Sequence, residues 1–245
     1  MRKKRNLEEL DQIELSRYLV EVIRRMILHY GFWFNEVHHQ LGIEEVLETE
    51  EQVFNGIFPI VIQRLSKVIG FEVENDMPVS LTNMPKKHLI ELIDAMAVNW
   101  LANDGVWFQT VEGRQDIYTS KRCNDTCWTR FSPLEARMIK AFLNIPRRGG
   151  LTGLETALNF RIYARINKQI TKKEDKELIF KMVTCRVQDA RKRKGLEDYP
   201  CKSGGLIEYE AFARTIDSRI KTECIACPPD KHPAEWSCAW RFYIT

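Results

Sequence analysis

Four cysteines near the C-terminus constrain this chain more than any other feature: Cys201, Cys224, Cys227 and Cys238, two of them in the run Cys224-Ile-Ala-Cys227. Pro228 and Pro229 come directly after and force a turn. A tight knuckle with further thiols returning from elsewhere is how a tetrahedral thiolate site is written in sequence, because a metal needs donors from several directions. In an extended strand, residues three apart point to opposite faces, so Cys224 and Cys227 share a ligand only if the chain turns between them. The spacing predicts a closed, structural metal site at one end of a hairpin, held by Cys201, Cys224, Cys227 and Cys238. Zinc suits four thiolates, with iron as the second choice. The plain alternative is a set of reduced cysteines packed as small apolar residues.

The 245 residues are enough to bury a full core, and 44% hydrophobic with 29% charged residues is ordinary for a soluble globular chain. A net charge of +3 argues against a nucleic-acid partner. The basic opening Met1-Arg-Lys-Lys-Arg5 leads into no apolar run and so does not read as a signal peptide, and no stretch has the length of a membrane span. Seven cysteines without an export signal point to a reducing, cytoplasmic location, where clustered thiols mean metal or reactivity more often than disulfides. The partners expected are a small-molecule ligand and a second copy of the chain as a homodimer, with neither nucleic acid nor membrane.

Apolar residues at helical spacing, from Leu15 and Leu19 to Met26 and Tyr30, predict a long amphipathic helix from about residue 10 to Gly42. A second runs from Glu44 to Gly70 with Pro59 inside it, and 71–85 read as a linker. A third carries Leu89 to Trp100 and stops at Asp104-Gly105, followed by a short extended segment at Val106-Trp107-Phe108. Cys123 and Cys127 then fall in a loop, and Ser132-Pro133-Leu-Glu135 opens another helix as a capping box. Beyond a helix near 151–159 the period changes: Ile162, Ala164 and Ile166 alternate with polar residues, as do Leu178, Phe180 and Met182, which predicts a β-hairpin. Short helices at 187–194 and 206–216 precede two last strands, 219–227 and 237–244. The reading is α+β: a helical N-terminal half packed on an antiparallel sheet of four strands with short helices. It has three regions, 1–84, 85–160 and 161–245, joined as one continuous fold.

From Thr184 onward, Cys201 with Gly204-Gly205, the Glu223-Cys-x-x-Cys227 segment and Cys238-Ala-Trp-Arg-Phe242 resemble the cysteine-bearing end of 4-vinyl reductase-type domains, which bind small hydrocarbons. In aromatic-sensing members of that group, three cysteines and a glutamate hold zinc. The resemblance implies ligands at Cys201, Cys227 and Cys238, with Cys224 standing where that group has its glutamate. Taken whole, the chain is similar to an uncharacterised family of prokaryotic cytosolic proteins that resembles the L-2-amino-thiazoline-4-carboxylic acid hydrolase-like group in its helical half. The segments that carry this are His29-Tyr-Gly-Phe-Trp33, Asp104-Gly-Val-Trp-Phe108, Cys185 to Gly195, Tyr199-Pro-Cys-Lys-Ser203 and the final Cys-x-x-Cys-Pro-Pro-Asp230.

Further candidates are read from local chemistry. Cys185 lies where a strand meets a helix, where the helix dipole and Arg186 would favour its thiolate, so it is the candidate nucleophile, with His29, His38, His39 or His232 as a base reached through the fold. Arg186, Gln188 and Arg191 offer a fork for a carboxylate ligand, and His29, Trp33 and Trp107 offer pocket walls. Each has a blander reading: a small residue closing a strand, a solvated last helical turn, the edge of a core. Cys123 and Cys127 read as a structural loop. The expected function is a small-molecule binding or sensing protein with a structural zinc; the alternative is a hydrolase-like enzyme acting on a small heterocyclic or amino-acid-like substrate through Cys185 or a histidine.

Overall fold

The computed structural model describes residues 6–193, 195 and 197–245. The basic opening Met1–Arg5 and Lys194, the last residue of the helix predicted over 187–194, lie outside the described residues. The chain separates into two compact units, with the division after Val68.

The first unit is two long helices. Helix α1 (Gln12–Leu41) begins at a full capping box: the Asp11 side chain accepts from the backbone of Glu14, and the Glu14 side chain accepts from Asp11 N. Gly31 does not interrupt it. The helix stops at Gly42, whose φ of 91° is open to glycine at little cost. Helix α2 (Ile43–Ile69) comes at once and runs through Pro59. Tyr30 Oη donates to Glu50 at 3.0 Å, tying the two helices together. None of the thirty residues of α1 is buried, and Leu19, Ile23, Met26, Ile27, Phe32 and Trp33 are all exposed.

In the second unit, the stretch read as a linker forms a small hairpin of β1 (Val73–Glu74) and β2 (Met77–Pro78) and one helical turn, α3 (Val79–Thr82). Asn75 and Asp76, both at positive φ, make the turn. Helix α4 (Lys86–Arg114) then runs on through Asp104-Gly105, so the predicted stop and the extended segment at Val106–Phe108 are corrected to helix. One glycine costs a helix interior only about 1 kcal/mol, less than its neighbours regain by packing.

Helix α5 (Ile117–Phe142) starts where Asp116 caps Thr119 N at 2.7 Å. It takes in both the predicted Cys123–Cys127 loop and the predicted helix start at Ser132-Pro133. The Ser132 hydroxyl donates to the Glu208 carbonyl instead of capping. Helix α6 (Gly150–Phe160) is next, and the apparent strand at Ile162–Ile166 is a helical turn, α7. Its first N–H, that of Ile162, is taken by the Glu135 carboxylate at 2.9 Å, so a partner distant in sequence decides against the alternation.

The predicted antiparallel sheet of four strands is present. It consists of β3 (Lys168–Lys173), β4 (Glu177–Thr184), β5 (Lys221–Ala226) and β6 (Cys238–Tyr243), in the order β3-β4-β6-β5. The second strand of the first hairpin lies where the Leu178–Met182 alternation placed it, while the first is Lys168–Lys173 instead of Ile162–Ile166. Helix α8 (Arg186–Arg193) leaves the end of β4, and helix α9 (Lys202–Ile216) leads toward β5. The core is built where α9, α5 and α6 meet the sheet: Leu154, Leu158, Leu178, Phe180, Phe212, Ile216, Trp240 and Phe242 are all at or near zero exposure. Register sets the apolar face, with Phe180 opposite Trp240 and Leu178 opposite Phe242. Among the described residues, no helix is long and apolar enough to cross a membrane.

Candidate functional site

Register also places the thiols. Cys238 opens β6 opposite Met182 of β4, and Cys224 of β5 stands opposite Trp240. Between Cys224 and Ala226 the pairing slips by a residue, which breaks the strand alternation and re-aims the side chains beyond the slip. Cys227 then sits in the turn the two prolines were expected to make. Asp230 N donates to the Cys227 carbonyl at 2.9 Å, and the Asp230 carboxylate pairs with Lys202 at 2.8 Å. Lys202 N donates to Pro228 O at 2.9 Å, which holds the start of α9 against this turn. Cys201, at the N-cap position of α9, is thereby brought to the same place.

The result is a trio. Cys201 and Cys238 are the neighbours that hold the Cys227 thiol well above the usual range, Cys201 contributing most, while Cys227 in turn lowers Cys238. Gln188 Nε2 donates to Cys201 Sγ at 3.2 Å. The Nε1 of the fully buried Trp240 indole has no hydrogen-bond partner among the described residues. Of the predicted ligands, Cys201, Cys227 and Cys238 are therefore gathered; Cys224 is half-buried nearby, with Lys202, Asp230 and Cys238 in its electrostatic surroundings. Three sulfurs, one of them served by the Gln188 amide, suit a soft metal, since such donors steady ligating thiolates. As they stand, no group of three or more His, Cys, Asp or Glu among the described residues has metal-site spacing. The chemistry fits at three positions and the spacing does not.

The trio forms part of the wall of a cavity of about 770 Å³, within the size range of ligand pockets. Its walls come from α4, α5, α8, α9 and the ends of the sheet. Val98, Leu101, Phe108, Trp128 and Met182 give an apolar lining, and Tyr163, Tyr199 and Tyr209 add rings with one polar atom each. Gly204 and Gly205 let the first turn of α9 approach closely: a Cβ on Gly205 would lie 2.7 Å from the Trp240 ring. Behind the tyrosines is a buried ion network. Arg161 Nε donates to Glu135 at 2.8 Å and its Nη1 meets Glu208 at 2.6 Å, while its guanidinium faces Trp128, Tyr163, Tyr209 and Phe212 at 4.8–5.9 Å. Burial raises the Glu208 carboxyl despite that partner. It also raises Asp104, which lines the cavity from α4.

Cys185 does stand at the strand–helix junction and does line the cavity. Burial nevertheless pushes its thiol up to about 12, against the N–H groups of Val187 and Gln188 that favour the thiolate. Arg186 and Arg191 also line the cavity. Gln188 does not; it is buried, bracing Tyr199 through a bond to its N–H at 2.8 Å and one to its carbonyl at 2.9 Å. His29 and Trp33 lie on α1 of the first unit and Trp107 is exposed on α4, and none of the three is among the lining residues. His232 stacks on Trp236 and pairs with Asp198 at 3.2 Å, apart from the lining. Cys123 and Cys127 are exposed on α5. Sequence reasoning misses Asp104, Phe108, Tyr163, Tyr199, Glu208 and Tyr209 as lining residues. Of these, the Asp104–Phe108 segment stands out in the sequence, where it reads as a helix end, and Tyr199 falls in a segment that carries the resemblance.

The fold and site together define an α+β protein whose thiol-lined cavity opens between a helical layer and the end of an antiparallel sheet. The chain belongs to a family of unknown function (DUF6125), whose model matches residues 82–244 and so takes in every residue of the cavity wall. No similar curated protein and no similar solved structure was found.

Proposed function

We propose that this protein binds a small molecule in the cavity beside the thiol trio and acts as a binding or sensing module. The observation that carries this reading is the cavity itself: about 770 Å³, apolar and aromatic in lining, with a few convergent polar groups. The resemblance of the C-terminal segment to 4-vinyl reductase-type domains supports the same assignment. It also supports a structural zinc, with Cys201, Cys227 and Cys238 as ligands and Cys224 taking the fourth place. A zinc so held would fix the turn after β5 to the start of α9 and to β6, and its four thiolates would leave no open position for chemistry.

The hydrolase-like alternative has one point in its favour, the presence of Cys185 in the cavity wall, and one against it, the raised pKa of that thiol. Among the described residues, no histidine lines the cavity to serve as its base. A second copy of the chain is the partner we assign to α1, which has thirty residues and none buried.

Mass spectrometry of the protein purified without chelators under anaerobic, non-denaturing conditions tests the main reading. One zinc per chain and a releasable small molecule are expected. A protein that carries neither, and shows no saturable binding of apolar probes, refutes it. Turnover that survives in Cys185→Ser would remove Cys185 from the alternative.

A further inference from the structure

Three of the charged side chains on the cavity wall are answered from within the fold. Lys121 pairs with Asp125, Glu208 pairs with Arg161, and Arg191 Nε donates to the Glu197 carbonyl. Glu112 and Asp104, both half-buried on α4, line the cavity with no ion pair or hydrogen bond among the described residues, and Asp104 is the one whose charge reaches Tyr163 and Tyr199. Burial is the influence acting on it, and no neighbouring cation offsets that burial. The network behind the wall adds to the deficit, since Arg161 alone faces the two carboxylates Glu135 and Glu208. A buried carboxylate without a counter-charge is costly, and a ligand that supplies one is selected by that cost.

The rings point the same way. The protein already sets Arg161 against Trp128, Tyr163 and Tyr209, and Lys121 against Tyr199 at 5.4 Å. These rings line the same cavity as Asp104. We infer that the ligand is an organic cation, a compact amine on an aromatic or apolar body, with its ammonium at Asp104 and its body among Val98, Leu101, Phe108 and Met182. The inference rests on the cavity being a ligand site. Arg186 and Arg193 of α8 also line the cavity but are exposed, so the rival is an anion held there.

Calorimetric titration with two isosteric series separates these cases: tryptamine, tryptophol and indole-3-acetate, and then benzylamine, benzyl alcohol and benzoate. In the wild-type protein the amine of each series binds about tenfold tighter than its alcohol, the ratio expected of one charge-assisted hydrogen bond. Asp104→Asn removes that preference while still binding the alcohol, and Asp104→Glu keeps part of it. Alcohol or carboxylate binding as tightly as the amine in the wild-type protein overturns the cationic assignment and leaves the cavity as a ligand site. Absence of binding by all six compounds overturns both.

Discussion

Replacing Gly205 by alanine tests the packing that holds the thiol trio together. A Cβ at this position lies 2.7 Å from one carbon of the Trp240 ring, 3.1 Å from the next and 3.8 Å from Cys227 Sγ. The indole has no room to retreat: Trp240 has zero exposure and packs against Tyr209 with ring centroids 4.7 Å apart. Forcing a methyl into such a core costs about 1–3 kcal/mol, and contact with a rigid ring below 3 Å belongs at the upper end. Gly205 is also inside α9, so alanine returns about 1 kcal/mol of helix propensity. The net loss is about 2 kcal/mol, or about 4–8 °C in melting temperature for a chain of this size. The internal control is Gly31→Ala in α1, where nothing lies within 4 Å of the added Cβ, so the propensity gain acts without a clash. Urea titration followed by tryptophan fluorescence reads Gly205→Ala, and helical circular dichroism reads Gly31→Ala. A Gly205→Ala protein as stable as the wild type would mean that α9 does not sit against Trp240 as described.

Three further predictions can be checked with the same protein. Cys201→Ser, Cys227→Ser and Cys238→Ser should each lower the zinc content measured by plasma mass spectrometry while Cys185→Ser leaves it unchanged; full zinc retention by Cys227→Ser would exclude the proposed ligand set. Arg161→Met should cost about 3–5 kcal/mol in urea, because it leaves Glu135 and Glu208 buried without their cation, and a loss below about 1 kcal/mol would contradict the network. The Asp217 carboxylate is held below the usual range chiefly by Arg219 and also by the N–H groups of Arg219 and Gly150. A depressed folded pKa contributes stability above the unfolded value of about 3.9, and that contribution is lost as the pH falls through the folded value. Asp217→Asn should therefore be less stable than the wild type at neutral pH, with the gap in urea midpoint closing below about pH 4; a gap independent of pH would show that the carboxylate charge is not what matters.

Legibility in the sequence depends on where the deciding contacts lie. The antiparallel sheet and the gathering of Cys201, Cys227 and Cys238 can be read because a two-residue period, a Pro-Pro turn and a Cys-x-x-Cys are local signals. The helix of Ile162–Ile166 cannot, since its alternation is outweighed by Glu135, far away in sequence, accepting the Ile162 N–H. Asp104-Gly105 misleads for a related reason. A turn signal is a statement about backbone cost, and here packing of Trp100 against Trp128, Phe131 and Tyr163 holds α4 on its course past that dipeptide. The same signal conceals the cavity, because a helix that ended at Asp104 could not present Asp104, Phe108 and Glu112 along one wall. The thiol cluster and the cavity are thus legible to different degrees for one physical reason. The cluster is specified by residues whose chemistry is rare. The cavity is specified by ordinary residues whose meaning depends on which helix continues, and α4 continues because aromatic side chains from α5 and α7 are waiting for it.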